Sequence, residues 1–227
     1  MRRNKNLSLA VLGLWLSITP PQTTFASSLP IQARILKAPA QTEVVQKKQT
    51  ISVSTENLST LRVQSGDLVQ TGEQGGATLL LTQGKIKAAV KLSAHSKLKL
   101  LPPGSEPNSA QIEVSLLEGS LSVLVSNPEH QGRAFRLSTR SASVGVRGTG
   151  FFMKAKDGQP SFLCACHGEI EIKSRGDRLV LNSKHHDYSF KFSKIQGTLT
   201  GRLERAPMGE DHTDADGDEL REAINRE

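Results

Sequence analysis

Short runs that alternate apolar and polar residues fill most of the chain from residue 51 onward, and Gly, Asn, Pro and Ser separate them. Residues 51–53, 98–100 and 112–114 are examples. A two-residue period indicates strands with one buried and one solvated face. No stretch of helical length before residue 215 has apolar residues at the helical period. The pattern predicts an all-β fold of stacked short strands, either an irregular β-solenoid or a sandwich, with a short C-terminal helix.

A local unit of a glycine followed by an alternating strand occurs three times. The copies lie at residues 83–88, 118–123 and 167–172, and the unequal distances between them exclude a strict repeat. Units of this kind can stack in layers that bury a continuous core. The recurrence therefore supports stacked strand–Gly–strand layers.

The first 26 residues have the organisation of a secretory signal. Arg2, Arg3 and Lys5 precede an apolar run over residues 7–18, and two prolines and a small-residue site ending at Ala26 follow. The run is about a dozen residues long, which is shorter than the ~20 that a membrane-spanning helix needs. We therefore expect export to the periplasm or beyond, with no transmembrane span after cleavage.

Charge and composition argue against nucleic acid as a partner. The 227-residue chain has a formal net charge of +7, and cleavage would remove three basic residues and no acidic ones, which leaves +4. The single tryptophan would leave with the signal, and the remaining aromatic residues do not alternate with basic ones as stacking platforms do. The chain also lacks the Gly-x-Ser-x-Gly, His-Glu-x-x-His and Gly-Lys-Ser/Thr motifs, so we do not expect an enzyme.

The pattern divides the mature chain into three parts. Residues 27–49 form a polar, irregular lead-in or a first edge strand, residues 50–200 form the β domain, and residues 201–227 form a solvated acidic tail. Asp216 and Glu219 have the spacing of a capping box, and Leu220, Ala223 and Ile224 can form one apolar face. We predict a short helix over residues 217–225.

Two cysteines and several histidines form a candidate metal site. Cys164 and Cys166 are two residues apart in a predicted strand, so both sulfurs face one side, while His167 faces the other. Their Cβ atoms are too far apart for a relaxed disulfide, which leaves a strained redox disulfide, buried thiols, an intermolecular disulfide or a metal site. One residue between the cysteines, instead of two, argues against standard haem attachment.

Histidines can reach this face from two directions. A hairpin over residues 169–181 would bring His185 or His186 close, and the tail would deliver His212. Two thiolates and two imidazoles are sufficient for tetrahedral zinc, and such mixtures also suit copper or iron. The predicted cofactor is therefore a transition metal of unspecified identity.

Residues 141–158 read as a strand that breaks and restarts. Arg147 stands between two apolar runs, and Gly148 and Gly150 flank Thr149. Glycine permits a positive φ or a close backbone approach. We therefore predict a strand corner at which Gly148 is conformationally required. Arg147 is either a structural residue paired with carboxylates or carbonyls, which is the commoner role, or a residue that contacts a ligand.

The segment VGVRGTGF resembles the signature of the FecR family, the periplasmic sensor domains of iron-responsive regulators. Arg147, Gly148, Thr149 and Phe151 fall on its fixed positions, and blocks at 65–81, 98–102, 112–125 and 135–142 follow in the matching order. The resemblance covers about residues 50–183. A subset of exported FecR-like proteins is also similar in having Cys-x-Cys, His-His-Asp and His-Thr-Asp in this order.

The resemblance implies a non-enzymatic sensing or protein-binding module of the bacterial envelope, linked to iron or metal signalling and acting on an envelope protein partner. The family's full-length regulators are implied to carry a sigma-factor-binding segment and a membrane span before this domain. Only a signal precedes it here, so we expect a soluble accessory or sensor. The alternative from another class is a metal-binding or thiol-redox protein that uses Cys164 and Cys166.

Export gives the first prediction. The mature protein should begin near Ser27, because the basic, apolar and small-residue regions occur in the order that signal peptidases recognise. Mass spectrometry of the N-terminus of protein from the periplasm measures this directly. Leu12→Arg, which interrupts the apolar run, should keep the precursor in the cytoplasm. An intact Met1 form embedded in the membrane would show an anchor instead of a cleaved signal.

Overall fold

The structure, a computed structural model, describes residues 30–39, 41–102, 112–127, 134–156, 159–174, 177–186, 188–195, 198–204 and 212–226. The predicted signal at 1–26 lies outside these residues. Within them the chain is mostly β with a short C-terminal helix, which confirms the predicted fold class. The elements are β1 (Gln32–Lys37), β2 (Thr42–Gln46), β3 (Gln49–Ser52), β4 (Arg62–Val63), β5 (Leu68–Thr71), β6 (Ala77–Gln83), β7 (Ile86–Leu92), β8 (Lys97–Leu100), β9 (Ile112–Ser126), β10 (Phe135–Ser138), β11 (Ser143–Val146), β12 (Gly150–Ala155), β13 (Ser161–Ser174), β14 (Asp177–Ser183), β15 (Tyr188–Ile195), β16 (Thr198–Glu204) and α1 (Asp214–Asn225).

The strands form two layers that share one apolar core. The first layer has the order β4-β1-β6-β7-β9-β12-β13-β15-β16. The second has the order β3-β2-β5-β8-β9-β10-β11-β13-β14, in which β9 and β10 are parallel and the other neighbours are antiparallel. Buried side chains of both layers, such as Leu79 and Val90 in the first and Leu98 and Ile172 in the second, belong to one core cluster.

Two long strands cross from one layer to the other at glycines. β9 pairs with the second layer up to Glu118 and with the first from Gly119, and β13 changes layers between His167 and Gly168. Gly119 has φ +92° and Gly168 has φ +85°, a region that other residues rarely occupy. The third glycine of the recurring unit, Gly84 (φ +59°), lies in the two-residue turn between β6 and β7. Gly119 and Gly168 are therefore required by backbone conformation and by close contacts, whereas Gly84 occupies a turn with open space around it.

The Arg-Gly-Thr corner differs from its prediction in two respects. Arg147 is exposed on the bend between β11 and β12 and makes no hydrogen bond or ion pair with the residues that the structure describes. Gly148 does not have a positive φ, and a Cβ there would meet only the Val125 carbonyl oxygen, at 3.9 Å. The predictions of a paired Arg147 and an obligatory Gly148 are wrong, because the bend lies at the surface. The crowded position is Gly150, where a Cβ would overlap the His167 ring.

The two flanking segments are more ordered than the sequence indicates. The expected irregular lead-in contains β1 and β2, and β1 lies inside the first layer between β4 and β6. The tail starts within β16, and α1 begins at Asp214, not at residue 217. Thr213 is the N-cap, and its backbone N–H donates to Asp216 Oδ2 at 2.9 Å, so the capping box starts three residues earlier than predicted.

Helix α1 packs on the outer face of the first layer. Its buried residues Leu220, Ala223 and Ile224 contact Leu80 and Ala89 of β6 and β7. The tail is therefore not simply solvated, since these apolar residues need a covered surface. Among the described residues, no helix is long and apolar enough to cross a membrane.

An ion-pair network holds the acidic first turns of α1 on the sheet. Lys91 Nζ lies 2.7 Å from Asp216 Oδ1 and 2.6 Å from Glu219 Oε2. Burial alone would lower the pKa of Lys91, but the hydrogen bonds to Asp216 and Glu219 outweigh it and raise that pKa. Burial opposes ionisation of the two carboxyls, yet Lys91 lowers the pKa of both. All three groups are therefore charged at neutral pH.

The crossing of β13 generates the second prediction. Gly168→Ala should destabilise the protein by about 1–3 kcal/mol, because a left-handed backbone is strained for alanine and the new Cβ would overlap Thr149 Cγ2. For a protein of this size that loss corresponds to roughly 2–4 °C in Tm per kcal/mol. Thermal unfolding followed by circular dichroism measures it. Gly148→Ala, in the same corner, should leave Tm almost unchanged, and equal melting temperatures for the two variants would contradict the argument.

Candidate metal centre

Four of the five candidate ligands lie together. One ligand atom from each of Cys164, Cys166, His186 and His212 lies within 4.8 Å of the others, and we call this set the thiol–imidazole cluster. The cysteines come from β13, His186 from the bend after β14, and His212 from the residue before the N-cap of α1. Three segments that are separated in sequence therefore meet at one point.

A β-bulge in β13 sets the direction of the cysteines. Gly150 of β12 pairs with His167 and Phe151 pairs with Ala165, so Cys166 is an extra residue with no partner on β12. Ala165 faces the shared core, whereas the Cys164 and Cys166 sulfurs meet the cluster on the outer side. The extra residue reverses the alternation beyond Cys166. His167 therefore lines the same cavity as Cys166, and its predicted placement on the opposite face is wrong.

His186 is held by contacts at its backbone and at both ring nitrogens. Its backbone N–H donates to the Cys166 carbonyl oxygen at 2.8 Å, and its φ of +46° turns the chain back toward β13. Its Nδ1 lies 3.5 Å from Cys164 Sγ, and its Nε2 lies 3.1 Å from Asp214 Oδ1. A histidine that points one nitrogen at a metal and the other at a carboxylate is the usual arrangement around protein-bound metals.

His212 is buried, and its ring packs against an aromatic ring of the sheet. The ring stacks on Phe152 of β12, with centroids 4.4 Å apart and an interplanar angle of 4°. Its Nε2 lies 3.9 Å from Cys166 Sγ, while its Nδ1 is buried without a hydrogen bond to any described residue. Sequence reasoning did not identify Phe152 or Asp214 as part of the site, although His-Thr-Asp places Asp214 next to a candidate ligand.

His185 stands outside the thiol–imidazole cluster. It is exposed, and its ring lies edge-on to the ring of His186 with centroids 4.9 Å apart. It belongs to a second group of neighbouring ligand atoms with His186 and Asp214. The structure thus separates the two adjacent histidines by role, with His186 facing the sulfurs. Asp187, the third residue of the His-His-Asp motif, lies outside the described residues.

The two thiols have pKa values shifted in opposite directions. A hydrogen bond from Cys166 lowers the pKa of Cys164 to about 4, against the effect of burial, and His212 and His186 lower it further. The same interaction with Cys164, together with burial, raises the pKa of Cys166. The cluster therefore holds one thiolate at neutral pH, and a cation would stabilise its negative charge.

The donor set and its spacing fit a tetrahedral metal ion. With Zn–S of about 2.3 Å and Zn–N of about 2.0–2.1 Å, the sulfur and nitrogen corners of a tetrahedron are separated by roughly 3.5 Å. The observed S···N distances are 3.5 and 3.9 Å. A cavity of about 250 Å³, which Cys166 and His186 help to line, gives an approach to the cluster. Four protein ligands without a vacant corner correspond to a structural metal site.

Comparisons with known proteins support the family resemblance. Residues 67–171 match the family model described as FecR protein, and no curated protein matches the chain. Two crystal structures of a candidate anti-sigma factor from Parabacteroides distasonis are 19% identical to the chain, with a TM-score of 0.46. Each match covers 61% of this chain and 60% of that one, so the likeness spans less than two thirds of that protein.

The family match includes the Arg147–Phe151 signature and both cysteines, and it ends before His186 and His212. Half of the thiol–imidazole cluster therefore lies beyond the matched domain. Residues 67–171 of this chain therefore match a FecR domain.

Proposed function

We propose that this chain is an exported FecR-domain protein of the bacterial envelope that binds a metal ion and acts through contact with another protein. Proteins of this family are regulatory rather than enzymatic. The observation that carries the metal part is the convergence of four soft and borderline donors from three segments within 4.8 Å. Buried cysteines that served only as packing would not need a charged thiolate beside two imidazoles.

Zinc is the ion that this donor set favours first. Tetrahedral sites with two sulfur and two nitrogen ligands suit zinc, and Asp214 supplies the carboxylate that orients His186. Copper(I) and iron also accept thiolate and imidazole ligands, so metal analysis decides among the three. A thiol-redox role, the second candidate, rests on the same low pKa of Cys164.

The signature itself indicates where a protein partner would bind. The fold accounts for Thr149 and Phe151 by burial, since each is 1% exposed. It does not account for Arg147, whose side chain points to solvent and pairs with no other described residue. A signature position that the fold does not require is best explained by contact with another molecule, and we assign Arg147 to the partner interface.

Metal content is the third prediction. Protein purified from the periplasm should contain one metal ion per chain by mass spectrometry, and Cys164→Ser should abolish it. Adding His186→Ala to that variant should cost little more, because the site is already lost. His185→Ala is the matched control and should keep stoichiometric metal, since His185 lies outside the cluster. Protein that lacks metal and binds neither zinc nor copper would contradict the proposal, and a reversible Cys164–Cys166 disulfide would favour the redox alternative.

Partner capture is the fourth prediction. The wild-type protein should retain a specific envelope protein from periplasmic extract, and Arg147→Ala should lose it while keeping its Tm. Lys99→Ala removes the same charge from an exposed position of β8 and should retain the partner. Equal capture by the two variants would remove Arg147 from the interface, and recovery of no specific protein would count against a protein-binding role.

A further inference from the structure

The thiol–imidazole cluster is built from two parts of the molecule. Cys164 and Cys166 belong to the sheet, and the hydrogen bond from the His186 backbone to Cys166 holds that histidine on the sheet as well. The fourth ligand, His212, lies directly before the N-cap of α1, and the supporting carboxylate belongs to Asp214, the first residue of that helix. The set of four is therefore complete only when this segment lies on the sheet.

His212 is coupled to α1 through a short series of contacts. It directly precedes Thr213, the N-cap, whose backbone N–H donates to the Asp216 carboxylate. Asp216 in turn pairs with Lys91 of β7. A movement of His212 away from the sulfurs would displace the capped end of the helix, and undocking of the helix would withdraw His212.

The remaining contacts of α1 are apolar and polar. Three buried helix residues cover an apolar strip on the sheet, which we define as Leu36, Leu80, Ala89 and Leu124. Glu219 accepts a hydrogen bond from Thr78 at 3.0 Å and pairs with Lys37 as well as with Lys91, and Lys87 Nζ donates to the Ile224 carbonyl oxygen at 3.4 Å. A helix of 12 residues is marginal in water without tertiary support, so its attachment depends on these contacts and on the cluster.

We propose that the metal ion fastens α1 to the sheet, so that metal binding covers the apolar strip and metal loss uncovers it. This inference rests on the proposed metal-binding function and adds how the metal state would change the surface of the protein. Because His212 ligates only when α1 is docked, metal binding and docking raise each other's equilibrium constant by the same factor. Metal loss would thus expose an apolar strip bordered by Lys91. For a protein that acts by contact with another protein, this would change the surface available to the partner.

Hydrogen exchange on the full chain, followed by mass spectrometry, tests the coupling with zinc as the probe. Amides of residues 214–226 should exchange at least tenfold more slowly in the zinc-loaded protein than in the chelator-treated protein. Amides of β6 and β7 should change less, because those strands are paired on both sides. His186→Ala, which removes a ligand from the sheet side, should abolish the zinc effect on α1.

A variant that changes none of the four ligands tests the reverse direction. Leu220→Asp places a charge in the buried face of α1 and should raise the zinc Kd at least tenfold, although Leu220 is not itself a ligand. Glu222→Ala is the control on the exposed side of the same helix, and its zinc Kd should be unchanged. Unchanged β-sheet circular dichroism would show that Leu220→Asp affects docking and not folding.

The outcomes separate this inference from the proposed function. Stoichiometric zinc binding with unchanged exchange of residues 214–226, or with equal zinc Kd for Leu220→Asp and Glu222→Ala, would overturn the coupling and leave the metal site standing. Failure of the wild-type protein to bind zinc, copper or iron would overturn both.

Discussion

The crossing of β13 from one layer to the other is the constraint on which most of this structure depends. Its first half pairs with β12 and β15, and its second half pairs with β11 and β14. The change of layer occurs at Gly168, whose positive φ and close contact with Thr149 leave no space for a side chain. A strained substitution there would cost about 1–3 kcal/mol of a total stability of ~5–15 kcal/mol. β13 therefore connects the two layers and also contains both cysteines.

The family signature belongs to this crossing rather than to a separate site. Thr149 fills the space beside Gly168, Gly150 lies against the His167 ring, and Phe151 enters the core. The bulge at Cys166 lies directly opposite, between the partners of Gly150 and Phe151. The segment that resembles the family signature is thus largely a packing motif, and its exposed positions are Arg147 and Gly148, of which only Arg147 carries a side chain. The exposed Arg147 is therefore the candidate for protein contact, and the cysteine-bearing part of β13 is the candidate for metal binding.

The candidate metal centre combines preorganisation with a dependence on the C-terminal segment. The sheet orients three of the candidate ligands, because backbone hydrogen bonds hold β13 and the His186 bend. The fourth, His212, precedes a helix that is held by one apolar patch, by ion pairs with Lys91 and Lys37, and by hydrogen bonds from Thr78 and Lys87. The ion pairs are partly exposed, so solvent screening limits what they add. A metal ion bound under the proposed function would add a further link between the helix segment and the sheet.

Local chemistry in the sequence was sufficient for the fold class, the recurrence of glycine-led strands, the apolar face of the C-terminal helix and the resemblance that the family match supports. Each of these depends on neighbouring residues, through alternation, glycine conformation or helical spacing. The tertiary structure decided what depends on distant pairings: that β1 lies inside a sheet, that Arg147 is exposed while Thr149 is buried, and that Lys91 pairs with the acidic tail. It also decided that His186 and not His185 faces the sulfurs, and that His167 shares their side. A bulge of one residue reverses strand alternation, and only the pairing of β13 with β12 reveals it.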